Sequence, residues 1–557
     1  MKSKNRFFSR GLLTSIALFS FSLASCENKK PIVVESSKET VSSSFEIKRP
    51  EFTPDYETYE VTATPSGINM TYYSDIYSRG FSYLTSKDIE DTELYLVKSD
   101  KGAEAIFDGV RAINGSSIEV TYKQGASFSS QDGVIPSITV SGKTSSSIDD
   151  TTARIHKVHV ENLEKGQAYS YKIGASDNYA YGAFIVENES FDRVRAIHLS
   201  DAQTKDASKH DVWRNTFTKA VDKAGNALDM VLYNGDQFDQ NMGKVHASDS
   251  KSPSRLLRYA KAYDVISDYK ASLPYMSSAG NHEVTAPYSH YLMSDISYAG
   301  YDAKGAYYSY DYGYAHFTVM NTNNVDAAQL EWLANDLEDA SNAKWKVVML
   351  HIAPYSTGDN SNKSENQKLV ETLTPIFSSK HVDLVLQAHD HTYSKSKPYK
   401  WDAAGYTTTY NNEDVVNLEV ENEERNGISY DNNPEGTYYV TTGAAGHRCG
   451  ASEADGVWSE VVKDGDTLKG LDTSKTFLNN KYKIEVGAIK YDNQYESYTV
   501  NGHVSAQDYH VGDPATGNVN AQMFGVLDLD EETLSYNVYT VNGETVKLFD
   551  SVDILKE

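Results

Sequence analysis

Met230-Val231-Leu232-Tyr233-Asn234-Gly235-Asp236-Gln237-Phe238-Asp239 decides how the rest of the chain is read. An apolar run that suits a buried strand stops at a glycine, and a carboxylate follows at once in what must be a loop. Strand ends of open α/β sheets are where sites are built. One Gly-Asp turn is weak evidence, because turns favour both residues. The pattern recurs, however. Val194 to Ser200 delivers Asp201 and Gln203, and Leu273 to Gly280 delivers Asn281, His282 and Glu283. Lys346 to Leu350 delivers His351, and Val382 to Ala388 delivers His389, Asp390 and His391. Five strands thus aim Asp, Asp, Asn, His and a His-x-His pair at one rim. Oxygen and imidazole donors without thiolate suit Fe, Zn or Mn and argue against a soft-metal site.

Outward from this stretch, residues 191–557 alternate strands with helical spacing in Trp213 to Ala224, Ser254 to Tyr269 and Ala327 to Ala340. That alternation predicts α/β layering. Two insertions break it: 411–435, acidic and Asn-rich, reads as a solvated loop, and 450–518 carries tyrosine-rich strands with no evident place. Residues 49–190 read as all-β, with short alternating segments such as Thr92 to Val97 and Arg154 to Val160 between Gly, Asp and Ser clusters. A β-sandwich is expected there, with His156 and His159 as strand residues.

Lys2, Lys4, Arg6 and Arg10 precede an apolar run from Gly11 to Leu23, which closes on Leu23-Ala24-Ser25-Cys26. Basic flank, short apolar core and small residues predict a secretory signal over 1–25, too short to span a bilayer comfortably. The closing residues resemble the lipobox of bacterial lipoproteins. That resemblance implies acylation of Cys26 and an extracytoplasmic protein anchored to the cell membrane, with 26–48 as a flexible tether. Cys449 is then the one remaining thiol, and no intramolecular disulfide is expected. A formal charge of −26 argues against nucleic acid as a partner, because phosphate backbones are bound by clustered Lys and Arg. Nothing in the sequence states the oligomeric state.

With all five strand ends in hand, the second domain resembles the calcineurin-like metallophosphoesterases, and with the first it is similar to the purple acid phosphatase branch. The motifs stand here as Asp201-Ala202-Gln203, Gly235-Asp236-Gln237-Phe238-Asp239, Gly280-Asn281-His282-Glu283, His351 and Ala388-His389-Asp390-His391. Val160 to Gly174, with a leucine, a glycine turn and Tyr169-Ser170-Tyr171, resembles the late strands of fibronectin type III modules. The resemblance implies a fibronectin type III-like β-sandwich followed by an α/β domain of two sheets flanked by helices. It also implies two metal ions. One is held by Asp201, Asp236 and His391, the other by Asp236, Asn281, His351 and His389. Two cations about 3.5–4 Å apart need a shared anionic bridge, the role that falls to Asp236.

The implied activity is hydrolysis of a phosphate ester by metal-bound hydroxide, with His282 stabilising or protonating the leaving alkoxide and Glu283 orienting His282. A phosphomonoesterase is the first expectation and a phosphodiesterase or nucleotidase the second. From another class, an inactive surface protein would bind through its β-sandwich. Three departures stand out. Asp239 replaces the family's ligating tyrosine, and either ligates or orients water. Gln203 replaces a glycine, and either offers its amide oxygen to the first metal or hydrogen-bonds Asp201. Asn360 and Ser361 stand where related enzymes carry further histidines. His290, His316 and His381 lack strand-end context, and the latter two are expected to be structural. His447 either touches substrate or has no role.

Overall fold

A computed structural model describes residues 48–557 except 125–128, 132–133, 141–147, 188–192, 242–243, 247, 356–363, 392, 402–414, 418–419 and, within 448–521, all but four short strands. The expected signal, tether and Cys26, together with Cys449, Asn360 and Ser361, therefore lie outside the described residues. Among the described residues no helix is long and apolar enough to cross a membrane.

The first strands form two sheets. One runs in the order Ser66–Thr71, Arg79–Thr85, Thr151–Val160, Ser116–Gln124, Val134–Val140, Ser129–Gln131. The other runs Asn178–Ile185, Ala168–Ala175, Glu93–Lys98, Ile113–Asn114. Successive strand side chains point to opposite faces, so alternate apolar residues gather on one side. Phe81, Tyr83, Val158 and Val160 of the first sheet share one buried cluster with Leu94, Leu96, Tyr171, Ile173 and Phe184 of the second. His156 lies inside this layer pair. Its two ring nitrogens meet the hydroxyls of Thr85 and Thr92, each at 2.7 Å, and burial pushes its pKa down to about 4.

The remainder builds two larger sheets. The first is ordered Tyr275–Ser277, Met230–Tyr233, Arg193–Leu199, Gln522–Asp530, Thr533–Asn542, Thr545–Leu555, Ile428–Asn432, Asn422–Arg425. The second is ordered Gly300–Asp302, Gly305–Tyr312, Ala315–Val319, Trp345–Ile352, Leu384–Ala388, Tyr438–Thr442, Tyr393–Lys395, His503–Gln507, Glu496–Val500. Val194, Ala196 and Leu232 face inward and share a cluster with Phe317, Val347, Met349, Leu384 and Leu386 of the opposite sheet. Their neighbours Ile197, Leu199, Val231 and Tyr233 face outward beneath Trp213 and Phe217 of the helix Ala207–Ala224. On the far side Val348, Leu350 and Val385 pack under Leu333 and Leu337 of Ala327–Asp339 and Leu373 and Phe377 of Ser364–Ser379. Two facing sheets with helices outside each match the predicted α/β layering.

Local differences have identifiable causes. The first helix begins well before Trp213, because Asp206 caps it by accepting from the Lys209 N–H. Residues 422–432, expected as loop, form an exposed hairpin that extends the first sheet beside Thr545–Leu555. Polar residues are tolerated there because Asn422–Arg425 is the last strand of the sheet and largely exposed, while Tyr430 of its partner strand is buried. Of the tyrosine-rich insertion, His503–Gln507 pairs with Tyr393–Lys395 and Glu496–Val500 with His503–Gln507.

Candidate metal centre

The parallel strands Arg193–Leu199, Met230–Tyr233 and Tyr275–Ser277 end together, and backbone hydrogen bonds join the loops that leave them. Asp201 N–H donates to Gly235 O at 3.0 Å and Gln203 N–H to Asp236 O at 2.9 Å. Side chains reach the rim through turns of unusual backbone: Asp201, Gln203, Asp236, His389 and His391 have φ of 53°, 40°, 57°, 77° and 56°. Left-handed backbone is costly for such residues and collects at functional sites. Gly235, at φ 84°, lies against Gly280, where an added Cβ would come within 2.2 Å of Asp236 Oδ1. Both glycines let the two loops touch.

Two groups of ligand atoms result, each with all its atoms within 4.8 Å of one another. Asp201, Asp236 and His391 make one, and Asp236, His351 and His389 the other. Asp236 belongs to both. Its Oδ1 lies 3.4 Å from His351 Nε2, while Oδ2 lies 3.7 Å from His282 Nε2. Burial opposes the Asp236 charge, but the neighbouring His282 and His351, and the His282 N–H that donates to its Oδ1 at 2.8 Å, hold the carboxyl well below the usual range. His389 is buried and beside His351, which pushes its pKa down to about 3 and keeps it neutral, the form that ligates.

The residues fit two cations. His351 Nδ1 faces Asn234 O at 2.6 Å and so carries a proton; in the neutral, ligating form of the ring its Nε2 and Asn281 Oδ1, 2.9 Å apart, are two electron-pair donors facing each other, a contact that a cation would relieve. Asp201 Oδ1 and His389 Nε2 are buried without a hydrogen-bond partner. Buried polar atoms are rarely left so, and a cation at each group would supply what they lack.

Comparison with known proteins points the same way. Residues 194–393, which contain every one of these donors, match the family model described as calcineurin-like phosphoesterase. That segment is thus similar to the calcineurin-like phosphoesterases. Mouse acid phosphatase type 7 (Mus musculus) is 27% identical over 316 residues, a match covering 52% of this chain and 64% of that protein. Purple acid phosphatase 21 of Arabidopsis thaliana is 29% identical over 142 residues, covering 22% of this chain and 32% of the relative. In fold, a purple acid phosphatase from yellow lupin (Lupinus luteus) seeds superposes with a TM-score of 0.54 at 12% identity, covering 89% of this chain and 75% of that one.

Within the phosphoesterase domain several residues sit differently from expectation. Glu283 does not orient His282. Its carboxylate accepts from the N–H groups of Asp236 at 2.8 Å, Gln237 at 2.9 Å and Gly280 at 2.7 Å. Those three turn amides point inward and need an acceptor. Burial and the nearby Asp236 push the Glu283 pKa up to about 7. His282 is held by backbone instead: Nδ1 lies 3.0 Å from Phe238 O and 3.2 Å from the Gln240 N–H.

Gln203 hydrogen-bonds Asp236 rather than Asp201, with Nε2 2.9 Å from Asp236 Oδ2 and 3.1 Å from His391 Nε2. Asp239 lies outside both ligand groups. Its Oδ1 accepts from the Asn241 N–H at 2.8 Å, and its Oδ2 lies 3.5 Å from Lys205 Nζ.

Asn234 escaped the sequence reading. Its amide donates to Leu350 O at 3.1 Å and Leu386 O at 2.7 Å, clamping the strand ends of the second sheet to the first. An amide inside an apolar run just before Gly235 was the available signal. His316 bonds Asp311 and Asp336 and lies outside the ligand groups, as does His290, which bonds Ser277.

Proposed function

We propose that this protein hydrolyses phosphate esters, phosphomonoesters foremost, at a binuclear metal centre. Asp201, Asp236 and His391 would hold one ion, and Asp236, Asn281, His351 and His389 the other. The observation that carries this reading is the pair of ligand groups sharing the buried Asp236 carboxylate. Oxygen and nitrogen donors suit Fe, Zn or Mn. Two such ions would lower the pKa of water and screen phosphoryl charge.

The chain's own residues supply the rest. Nδ1 of His282 has the Phe238 carbonyl to donate to and the Gln240 N–H to accept from. Either ring tautomer is thereby supported, and Nε2, on the Asp236 side, would hand a proton to the departing alkoxide. Gln203 positions Asp236, and Glu283 braces the turn that carries it.

We further infer that the N-terminal layer pair is of fibronectin type III type. The Leu23 to Cys26 motif supports a lipid anchor outside the cytoplasm. Cys26→Ser is expected to release the protein from the membrane or block its processing.

The direct test is metal-replete protein assayed on a panel of phosphomonoesters and diesters, with metal content measured alongside. Two ions per chain and preference for monoesters support the reading. Absence of bound metal, or of turnover on every ester, refutes it. Preference for diesters moves the protein to the phosphodiesterase branch.

A further inference from the structure

Five strand ends carry the ligand types, and the structure brings a sixth to the same rim. Ala315–Val319 runs parallel to Trp345–Ile352, so the two strands deliver their C-terminal ends to one side. Past Met320, whose N–H donates to Met349 O at 2.9 Å, the chain leaves as Asn321-Thr322-Asn323-Asn324. Along the sequence such a run is an ordinary turn composition.

Two neighbours in this loop grip two different ligand-bearing segments. The Asn323 amide nitrogen lies 3.0 Å from Ala279 O, 3.0 Å from Gly280 O and 3.3 Å from Lys304 O. Three carbonyls around one end of the side chain mark that end as the NH2 group. Thr322 Oγ1 accepts from the Ile352 N–H at 2.9 Å. Gly280 precedes Asn281, and Ile352 follows His351. Covalent geometry keeps the Cα atoms of adjacent residues about 3.8 Å apart. Thr322 and Asn323 therefore set how far the Asn281 loop stands from the His351 strand end, and Asn281 Oδ1 lies 2.9 Å from His351 Nε2. Neither gripped segment adjoins Asp201 or His391.

The loop is itself held from behind. Gln329, on the helix Ala327–Asp339, accepts from the Asn321 N–H at 2.8 Å and donates to Asn321 O at 3.1 Å and Asn324 O at 3.0 Å. Asp302 accepts from the side-chain amides of Asn321 at 3.3 Å and Asn324 at 2.6 Å. A Cβ on Gly305 would come within 2.7 Å of both Ala279 Cβ and Asn321 Oδ1, so the backbone there fits closely between the two loops. A brace fixed at its own base transmits position rather than merely filling space.

Building on the phosphoesterase reading, we propose that Thr322 and Asn323 are positioning residues for one ion of the pair, the one assigned to Asp236, Asn281, His351 and His389. They hold Asn281 and His351 at ligating separation, while the Asp201, Asp236 and His391 group rests on other supports.

The test titrates the full chain, stripped with chelator, with Mn(II) or Zn(II) by calorimetry and counts bound ions by mass spectrometry. Wild type is expected to bind two ions. Asn323→Leu, which loses the NH2 group, and Thr322→Val, which loses the hydroxyl oxygen, are each expected to weaken one ion about 10- to 100-fold, the order of effect of contacts that support ligands, and to leave the other unchanged. Thr322→Ser, which keeps the oxygen, is expected to bind as wild type. Adding His391→Ala, which removes a donor of the other group, to Asn323→Leu is expected to leave neither ion tightly bound. The proposal is overturned if both ions weaken equally in Asn323→Leu and Thr322→Val, if neither weakens, if Thr322→Ser is as weak as Thr322→Val, or if the double variant keeps one ion at wild-type strength. Each of those results leaves the phosphoesterase reading standing. Wild type that binds fewer than two ions overturns both.

Discussion

At the scale of single residues, Glu283 shows how a motif position changes meaning in three dimensions. Read beside His282, an acid suggests a partner for the imidazole; in the fold it collects three inward-pointing amides from two touching loops. Glu283→Gln keeps the shape but presents an NH2 group to at least one N–H. We expect it to lower metal affinity about 10- to 100-fold, as loss of supporting contacts around ligands does, measured by titration with Mn(II) or Zn(II). Unchanged affinity would show that the amides find water instead. His282→Ala is expected to lower kcat about 10²- to 10⁴-fold for esters of poor leaving groups and far less for nitrophenyl esters, whose leaving group needs little protonation. An equal loss across leaving groups in steady-state assays would mean that His282 positions substrate.

At the scale of elements, His316 ties a strand to a helix. Its Nδ1 meets Asp311 at 2.7 Å and its Nε2 meets Asp336, on the helix Ala327–Asp339, at 3.0 Å. Burial opposes the charge, but the two carboxylates outweigh it and raise the pKa to about 9 from 6.5. A group whose pKa rises on folding binds its proton more tightly in the native state. Its stabilisation is therefore complete below about pH 6.5 and is lost as pH climbs through about 9. Denaturant melts of wild type should lose on the order of 2–3 kcal/mol more than those of His316→Gln between pH 6 and pH 10. Parallel pH profiles for the two proteins would remove the ion pair from the account.

At the scale of the whole molecule, the N-terminal sheets pack against the segment that follows the Asn281-His282 motif. Asn69 Nδ2 donates to Met293 O at 2.8 Å, Thr71 Oγ1 to Asp295 O at 2.7 Å, and Tyr122 OH to Pro287 O at 2.7 Å. Lys270 is buried between the rings of Tyr263 and Tyr275, its Nζ 2.6 Å from Asn69 Oδ1. Asn69→Leu removes that acceptor, leaving the buried amine its ring contacts alone and the Met293 carbonyl without the Asn69 donor. A loss of about 1–3 kcal/mol is expected, with the N-terminal layers and the phosphoesterase domain still unfolding in one transition by calorimetry. Two separated transitions in the wild type would show that the interface does not couple them.

The candidate ligand positions were legible from sequence because each follows a strand whose apolar run is local, and local patterns survive without knowledge of the fold. Asp201, Asp236, Asn281, His351, His389 and His391 all sit where those runs end, and the layering follows from strand-helix alternation. What only the tertiary structure decided depends on which strands become neighbours. Asn234 clamps carbonyls more than a hundred residues away. Glu283 serves amides on another loop, and Asp239 is turned to Lys205 rather than to the ligand groups. The C-terminal strand Gln522–Asp530 returns to pair with Arg193–Leu199, a closure no local signal announces. Backbone donors and acceptors look alike in every residue, so their pairing is set by packing, and the residues that satisfy them across distance show no pattern along the chain.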